Sequence, residues 1–257
     1  MKTTIKNRKN QNIVVLIDNS PERETKGLVF IAHGLGGFME QPQIAAFAEA
    51  FKNSGYTVIR WDAANTIGES GGRMEDATLT SYFEDMEDVI NWAKNESWYQ
   101  EPFVLCGHSL GGTCSILFAA KNPKSIKAIV PVSPFVAGEF FAQNYSQEQL
   151  DEWKKQGYKI EESKSKPGVM KKLSWELMED LLTYNLLNDA KEIKVPTLLI
   201  YGENDEAIPQ KYQSMLFKAI PTENKELHMI KNAPHTFKNQ EHLEEIKNIV
   251  KKWLQPI

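Results

Sequence analysis

The sequence predicts an α/β fold: a mostly parallel, doubly wound sheet with helices on both faces and a small cap inserted late in the chain. Three observations carry that prediction. Short, nearly unbroken apolar runs of four to seven residues recur along the chain, and such runs suit parallel strands covered on both faces. Stripes of apolar residues at helical spacing fall between them, so strand and helix alternate. One connection, residues 134–194, is 61 residues long, far more than a crossover helix needs.

The elements follow in order. Alternation over residues 12–17 reads as an early strand. The apolar runs at 28–32, 56–61, 103–106, 128–132 and 195–201 read as buried strands, and 226–230 as a further one. Ile44, Phe47, Ala48 and Phe51 form one helical stripe; Phe83, Met86, Val89, Ile90 and Ala93 form the next. Ile116, Leu117, Ala119 and Ala120 follow the fourth strand, and Leu243, Ile246, Ile249, Val250 and Trp253 make a closing amphipathic helix. The crossovers should be right-handed.

The long connection is aromatic and polar at once. Helical stretches at 147–156 and 173–185 are separated by Gly157 and by Lys166-Pro167-Gly168. A structureless loop of that length is rare in a compact domain, so the segment reads as a cap over the carboxyl ends of the strands. The expected division is therefore a core of residues 1–133 and 195–257 with a cap at 134–194.

Composition excludes several classes. A net charge of −4 argues against a nucleic-acid binder, which needs clustered positive charge. No apolar run approaches 18 residues, and the basic N-terminus has no apolar stretch behind it, so neither a membrane span nor a secretory signal is read. Cys106 and Cys114 are too few for a disulfide framework and read as small buried apolar groups. The expectation is a soluble cytoplasmic protein. No His, Cys or carboxylate cluster has metal-ligand spacing, so no metal or cofactor is expected. Oligomeric state is not legible.

Gly-x-Ser-x-Gly occurs twice, at Gly107-His108-Ser109-Leu110-Gly111 and at Gly68-Glu69-Ser70-Gly71-Gly72. A nucleophile elbow needs a strand running in and a helix running out. Ser109 has both; Ser70 sits between polar stretches and reads as a loop serine. The first buried strand ends in His33-Gly34-Leu35-Gly36-Gly37. Its glycine-rich turn can aim backbone N–H groups at the space above Ser109. The expected oxyanion donors are the N–H groups of Leu35 and Leu110, with the His33 side chain bracing the loop.

A serine needs a base, and histidine titrates near neutrality. His33 and His108 lie inside the two loops. His228 lies within a strand, and His242 falls on the last helix, expected on its exposed side. His235 follows a strand directly, where such sheets carry function. For the orienting carboxylate Asp205 is favoured, with Glu203 and Glu206 as local rivals and Asp62 as a distant one. The order Ser109, Asp205, His235 is that of the α/β-hydrolases.

With those residues in view, the chain resembles the α/β-hydrolase superfamily over essentially its whole length. Within it, the chain is similar to small bacterial cinnamoyl/feruloyl esterases. The parts that carry the resemblance are the 33–37 loop, the 68–72 loop, the Ser109 elbow, the insertion after Ser133-Pro134, and the Asp205 and His235 loops. Thr66-Ile67-Gly68-Glu69-Ser70 departs from the Gly-His-Gly-Glu/Asp-Ser pattern frequent in that family. The resemblance implies a serine carboxylic-ester hydrolase acting through an acyl-enzyme on aromatic or other small acyl esters. Cap aromatics, with Phe135, Phe140, Phe141, Trp153 and Trp175 as candidates, are expected to line an apolar substrate pocket. The rivals are a monoacylglycerol or lysophospholipid lipase, an acyl-peptide-type peptidase, and a non-catalytic binding protein on the same fold.

Overall fold

The computed structural model describes residues 1–20 and 25–257. An eight-stranded sheet forms the centre of the molecule. Its strands are β1 (Lys2–Lys6), β2 (Asn12–Asp18), β3 (Leu28–Ala32), β4 (Thr57–Asp62), β5 (Phe103–His108), β6 (Ile126–Val132), β9 (Thr197–Gly202) and β10 (Lys225–Ile230). They are ordered β1-β2-β4-β3-β5-β6-β9-β10. Pairing is parallel from β4 through to β10, and β2 is antiparallel to both β1 and β4. The mostly parallel, doubly wound sheet is thus as the sequence predicts. Strand β1 is absent from that reading because Lys2-Thr3-Thr4-Ile5-Lys6 carries a single apolar residue, a composition that an edge strand tolerates.

Continuous apolar runs form the central strands because both faces are covered. All five residues of β3 are buried. Leu28, Phe30 and Ala32 enter one cluster, and Val29 and Ile31 enter the other. Helices α1 (Pro42–Asn53) and α9 (Gln240–Trp253) cover the second face. Helices α2 (Leu79–Ala93), α3 (Leu110–Lys121) and α8 (Gln210–Ala219) cover the first. The start of α2 is fixed by a capping box in which Thr78 and Ser81 bond each other's backbone. Helix α3 is buried over Leu110–Ala119 and carries Gly, Ser and Thr among its apolar residues, as a helix packed on several sides must.

Residues 134–194 hold α4 (Gly138–Ala142), α5 (Gln147–Gln156), β7 (Tyr158–Glu162), β8 (Met170–Ser174), α6 (Trp175–Leu182) and α7 (Leu186–Asp189). Helix α5 has the bounds that the sequence suggests. The strands do not: β7 and β8 pair as an antiparallel hairpin separate from the main sheet. Their mixture of Lys and Glu with Ile, Leu and Met resembles a solvated helix face in sequence, and Leu173 and Ser174 belong to β8 and not to a helix. No helix of the described residues is long and apolar enough to cross a membrane.

The core around β5 rests on aromatic contact. The Phe103 ring meets that of Phe30 edge-on at 4.9 Å and also packs on Tyr99 and Phe118. Because Phe103 is fully buried, Phe103→Ala should cost about 3–5 kcal/mol of stability, read as a lower midpoint in urea unfolding followed by circular dichroism.

Candidate active site

The parallel strands deliver their functional residues to one end of the sheet, at their carboxyl termini. Ser109 closes β5 and sits with φ 54° and ψ −121°, a conformation costly for any residue with a side chain. The turn is held because backbone meets backbone around it. A methyl group on Gly111 would lie 2.3 Å from the Ala32 carbonyl oxygen, and one on Gly34 would lie 2.8 Å from Cβ of Ser109. The loop after β3 therefore lies directly against the serine. The Leu35 and Leu110 N–H groups, the expected oxyanion donors, have no partner among the described residues. The neighbouring N–H groups of Gly36 and Gly37 are bonded, to the Tyr82 hydroxyl and the Gly34 carbonyl.

Asp205 follows β9 and His235 follows β10. His235 Nδ1 lies 2.8 and 3.0 Å from the two Asp205 oxygens. The carboxylate also accepts the Ala207 and Ile208 N–H groups at 3.0 and 2.8 Å. The side chain of Asp205 is fully buried and that of His235 is 12% exposed. Burial pushes the Asp205 carboxyl up, but the His235 hydrogen bond and charge, with the Ile208 amide, outweigh it and hold the group below its ordinary 3.8. The Ser109 hydroxyl makes no hydrogen bond among the described residues. His108, next to Ser109 in the chain, contacts His235. Its Nε2–H donates to the His235 carbonyl at 2.7 Å, and the two imidazole rings pack with centroids 4.7 Å apart.

The rival residues have other partners. Asp62 accepts the Met39 and Glu69 N–H groups, both at 2.6 Å. Glu203 accepts the Asn232 N–H, and Glu206 accepts the His235 N–H and pairs with Lys164. Ser70 bridges the Val14 N–H and the Asp62 carbonyl. His33 donates from Nδ1 to the Gly34 carbonyl and accepts the Ala63 N–H at Nε2, which fixes the neutral tautomer. His228 is half-buried on the edge strand beside Glu226. His242 is the exception: it is 6% exposed, not on the solvent side, because α9 lays that flank against the sheet with Leu243 and Ile246.

The cap aromatics pack largely on one another, and some of them also border cavities. Phe135 and Trp153 are 2% and 3% exposed and belong to the core, with the Trp153 indole N–H bonded to the Leu173 carbonyl. Phe140 stacks on Tyr212 at 4.3 Å, Phe141 packs on Phe135 and Tyr145, and Trp175 packs on Trp153. Trp153 also borders a cavity with Tyr145 and Lys159, and Phe140 and Phe141 border a small one beside Ala207 and Ile208. An aromatic run in a cap satisfies the cap's own need for a core before it can line a pocket.

What sequence reasoning missed is the underside of the hairpin. Lys171 lies across Gly36 of the oxyanion loop, its Cδ 2.7 Å and its Nζ 3.5 Å from where a Gly36 methyl group would stand. Nearby, Lys166 donates to the Ile67 carbonyl, and Lys164 and Lys172 pair with Glu206 and Glu75. Only Tyr158-Lys159-Ile160 alternates; Met170-Lys171-Lys172-Leu173 does not, so the sequence carried little signal for the hairpin.

This arrangement of sheet, elbow and loops is that of the α/β-hydrolases, and it defines a serine hydrolase. Residues 23–242 match the family described as serine aminopeptidase, S33, and the chain belongs to that family. Among curated relatives it is 23% identical over 221 residues to the mitochondrial palmitoyl-protein thioesterase ABHD10 of Bos taurus, covering 84% of this chain and 69% of that protein. The monoglyceride lipase of Rattus norvegicus is 22% identical, with 90% and 81% covered. Among solved structures, Est1E from Butyrivibrio proteoclasticus with ferulic acid bound superposes with a TM-score of 0.84 at 22% identity, covering 99% of this chain and 98% of that one.

Two buried neutral imidazoles carry a pH consequence. Burial pushes His108 down to about 3, and His33 is also lowered by burial. In the unfolded chain both take protons near 6.5. The unfolded state thus binds more protons below pH 6.5, and stability falls as pH drops from there toward 3. His108→Gln should flatten part of that slope, measured by urea unfolding at a series of pH values.

Proposed function

We propose that the chain hydrolyses small carboxylic esters through an acyl-enzyme, with Ser109, Asp205 and His235 as the catalytic triad. Ser109 Oγ attacks the ester carbonyl while His235 Nε2 takes its proton. Asp205 holds the imidazole by Nδ1 and stabilises its charged form. The negative oxygen of the tetrahedral intermediate lies between the N–H groups of Leu35 and Leu110, each such donor being worth about 2.7–4 kcal/mol of barrier. Collapse expels the alcohol, which receives the proton from His235. A water deprotonated by His235 then releases the acid. No metal or cofactor enters these steps.

The observation that carries the reading is the buried Asp205–His235 pair set beside a strained serine whose two neighbouring backbone donors have no partner. The Ser109–His235 bond is read as one that closes on substrate binding, as catalytic hydrogen bonds often do. His108 remains neutral at its low pKa, so the imidazolium formed at His235 meets no second positive ring. Ester substrates are favoured over peptides because the similar proteins named as thioesterase and lipase, and the one holding ferulic acid, share this frame. Aromatic acyl groups are one candidate class among small acids.

Ser109→Ala should abolish turnover of p-nitrophenyl butyrate and labelling by a fluorophosphonate probe. Asp205→Asn should lower kcat about 10⁴-fold, by favouring the wrong tautomer. Full activity of Ser109→Ala would sink the proposal. Comparing p-nitrophenyl butyrate, methyl ferulate, a monoacylglycerol and an aminoacyl anilide orders the substrate classes.

A further inference from the structure

The roof over the oxyanion loop is charged, not apolar. The β7–β8 hairpin pairs Glu161 directly with Lys171. Lys171 Nζ meets Glu161 Oε1 at 2.7 Å, and Lys159 meets Oε2 at 3.1 Å. The Lys159 ammonium is further bonded to the Tyr145 hydroxyl and lies over the Tyr145 and Trp153 rings at 4.4 and 4.3 Å. It is therefore satisfied. Lys171 is not: its side chain is only 11% exposed, yet one of its three ammonium protons has a partner among the described residues. Two cations, Lys171 at 11% and Lys159 at 21% exposure, share one partly exposed carboxylate here, which leaves an excess positive charge at the hairpin.

Position gives that charge a use. Lys171 lies against Gly36, and Gly36 stands two residues beyond Gly34, which abuts Ser109. Two residues of chain span at most about 7 Å. The ammonium is thus at most about 16 Å from the serine, a span that a substrate several bonds long can bridge. Residues 158–174 carry five lysines and two glutamates; Lys164 and Lys172 are paired with Glu206 and Glu75, which leaves a small positive excess at the hairpin that favours an anion. On this face Lys159, Glu161 and Lys171 stand with the buried Leu173, while the hairpin's exposed apolar groups, Ile160 and Met170, lie on the opposite one, since β-strand side chains alternate.

We propose that Lys171 recognises a carboxylate on the substrate, so that the preferred esters are half-esters or esters of carboxylated alcohols. This rests on the ester-hydrolase reading and adds the substrate's charge to it. Lys171 acts as a specificity residue that binds the far end of the molecule, and Glu161 holds it extended over Gly36.

Two matched pairs of esters test this. In the first the anion is on the acyl side: p-nitrophenyl hydrogen glutarate against p-nitrophenyl methyl glutarate. In the second it is on the alcohol side: 4-carboxyphenyl butyrate against its methyl ester. The full chain should prefer the carboxylate of one pair by about 10- to 100-fold in kcat/KM, the worth of one hydrogen bond to a charged group. Which pair responds identifies the side. That ratio should collapse about 10-fold or more in Lys171→Met and persist in Lys171→Arg. If Lys171→Met does not fold, Lys171→Met/Glu161→Gln removes both charges of the pair together. Affinities of both pairs for Ser109→Ala, read by calorimetry, separate the two proposals. A carboxylate preference in binding without turnover would overturn only the hydrolase reading. The absence of a preference in both pairs, or its survival in Lys171→Met, would overturn the role of Lys171.

Discussion

Steric exclusion at the end of β5 is the constraint on which the catalytic end of the molecule depends. Where Gly111 faces the Ala32 carbonyl, there is no room for a side chain. That contact brings helix α3 onto the first buried strand and forces Ser109 into its strained turn. It also brings the 33–37 loop to the serine. The cost of the strain, of order 1–3 kcal/mol for a non-glycine residue at such a φ, is offset by the fully buried strands on either side. Asp205 and His235 then need only follow two neighbouring strands to arrive at the same place.

Much of this was legible in the chain because both halves of the signal are local. A run such as Leu28-Val29-Phe30-Ile31-Ala32 announces a strand covered on two faces, and glycines after such a strand announce close backbone approach. Ser109 could be told from Ser70 by its flanking strand and helix alone. Flanking elements could not separate Asp205 from Glu203 and Glu206, which follow the same strand; the structure pairs Asp205 with His235 and engages both glutamates with backbone N–H groups of the His235 loop.

What escaped the sequence was set by packing at a distance. Residues 158–174 carry too few apolar side chains to reveal a hairpin, and the pairing of Glu161 with Lys171 spans ten residues. How far the cap aromatics pack inward was not legible, because an aromatic residue carries no mark of which way it faces: Phe135 joins the core, while Trp153 is buried and also borders a cavity. His242 was placed on the wrong side of its helix because a polar residue at an interior position breaks the apolar stripe without leaving the core.

The order of strands has one further consequence. β10, which delivers His235, is an edge strand paired only with β9, and several of its side chains are half-exposed. Ser109 rises from β5, deep inside the sheet. The proposed nucleophile and the proposed base therefore belong to regions of unequal local stability, since edge elements open more readily than central ones. Fraying at one margin of the sheet would part His235 from the serine while the hydrophobic interior stayed closed. The lifetime of the active arrangement is then governed by a peripheral strand and by α9 that clasps it, and not by the stability of the whole.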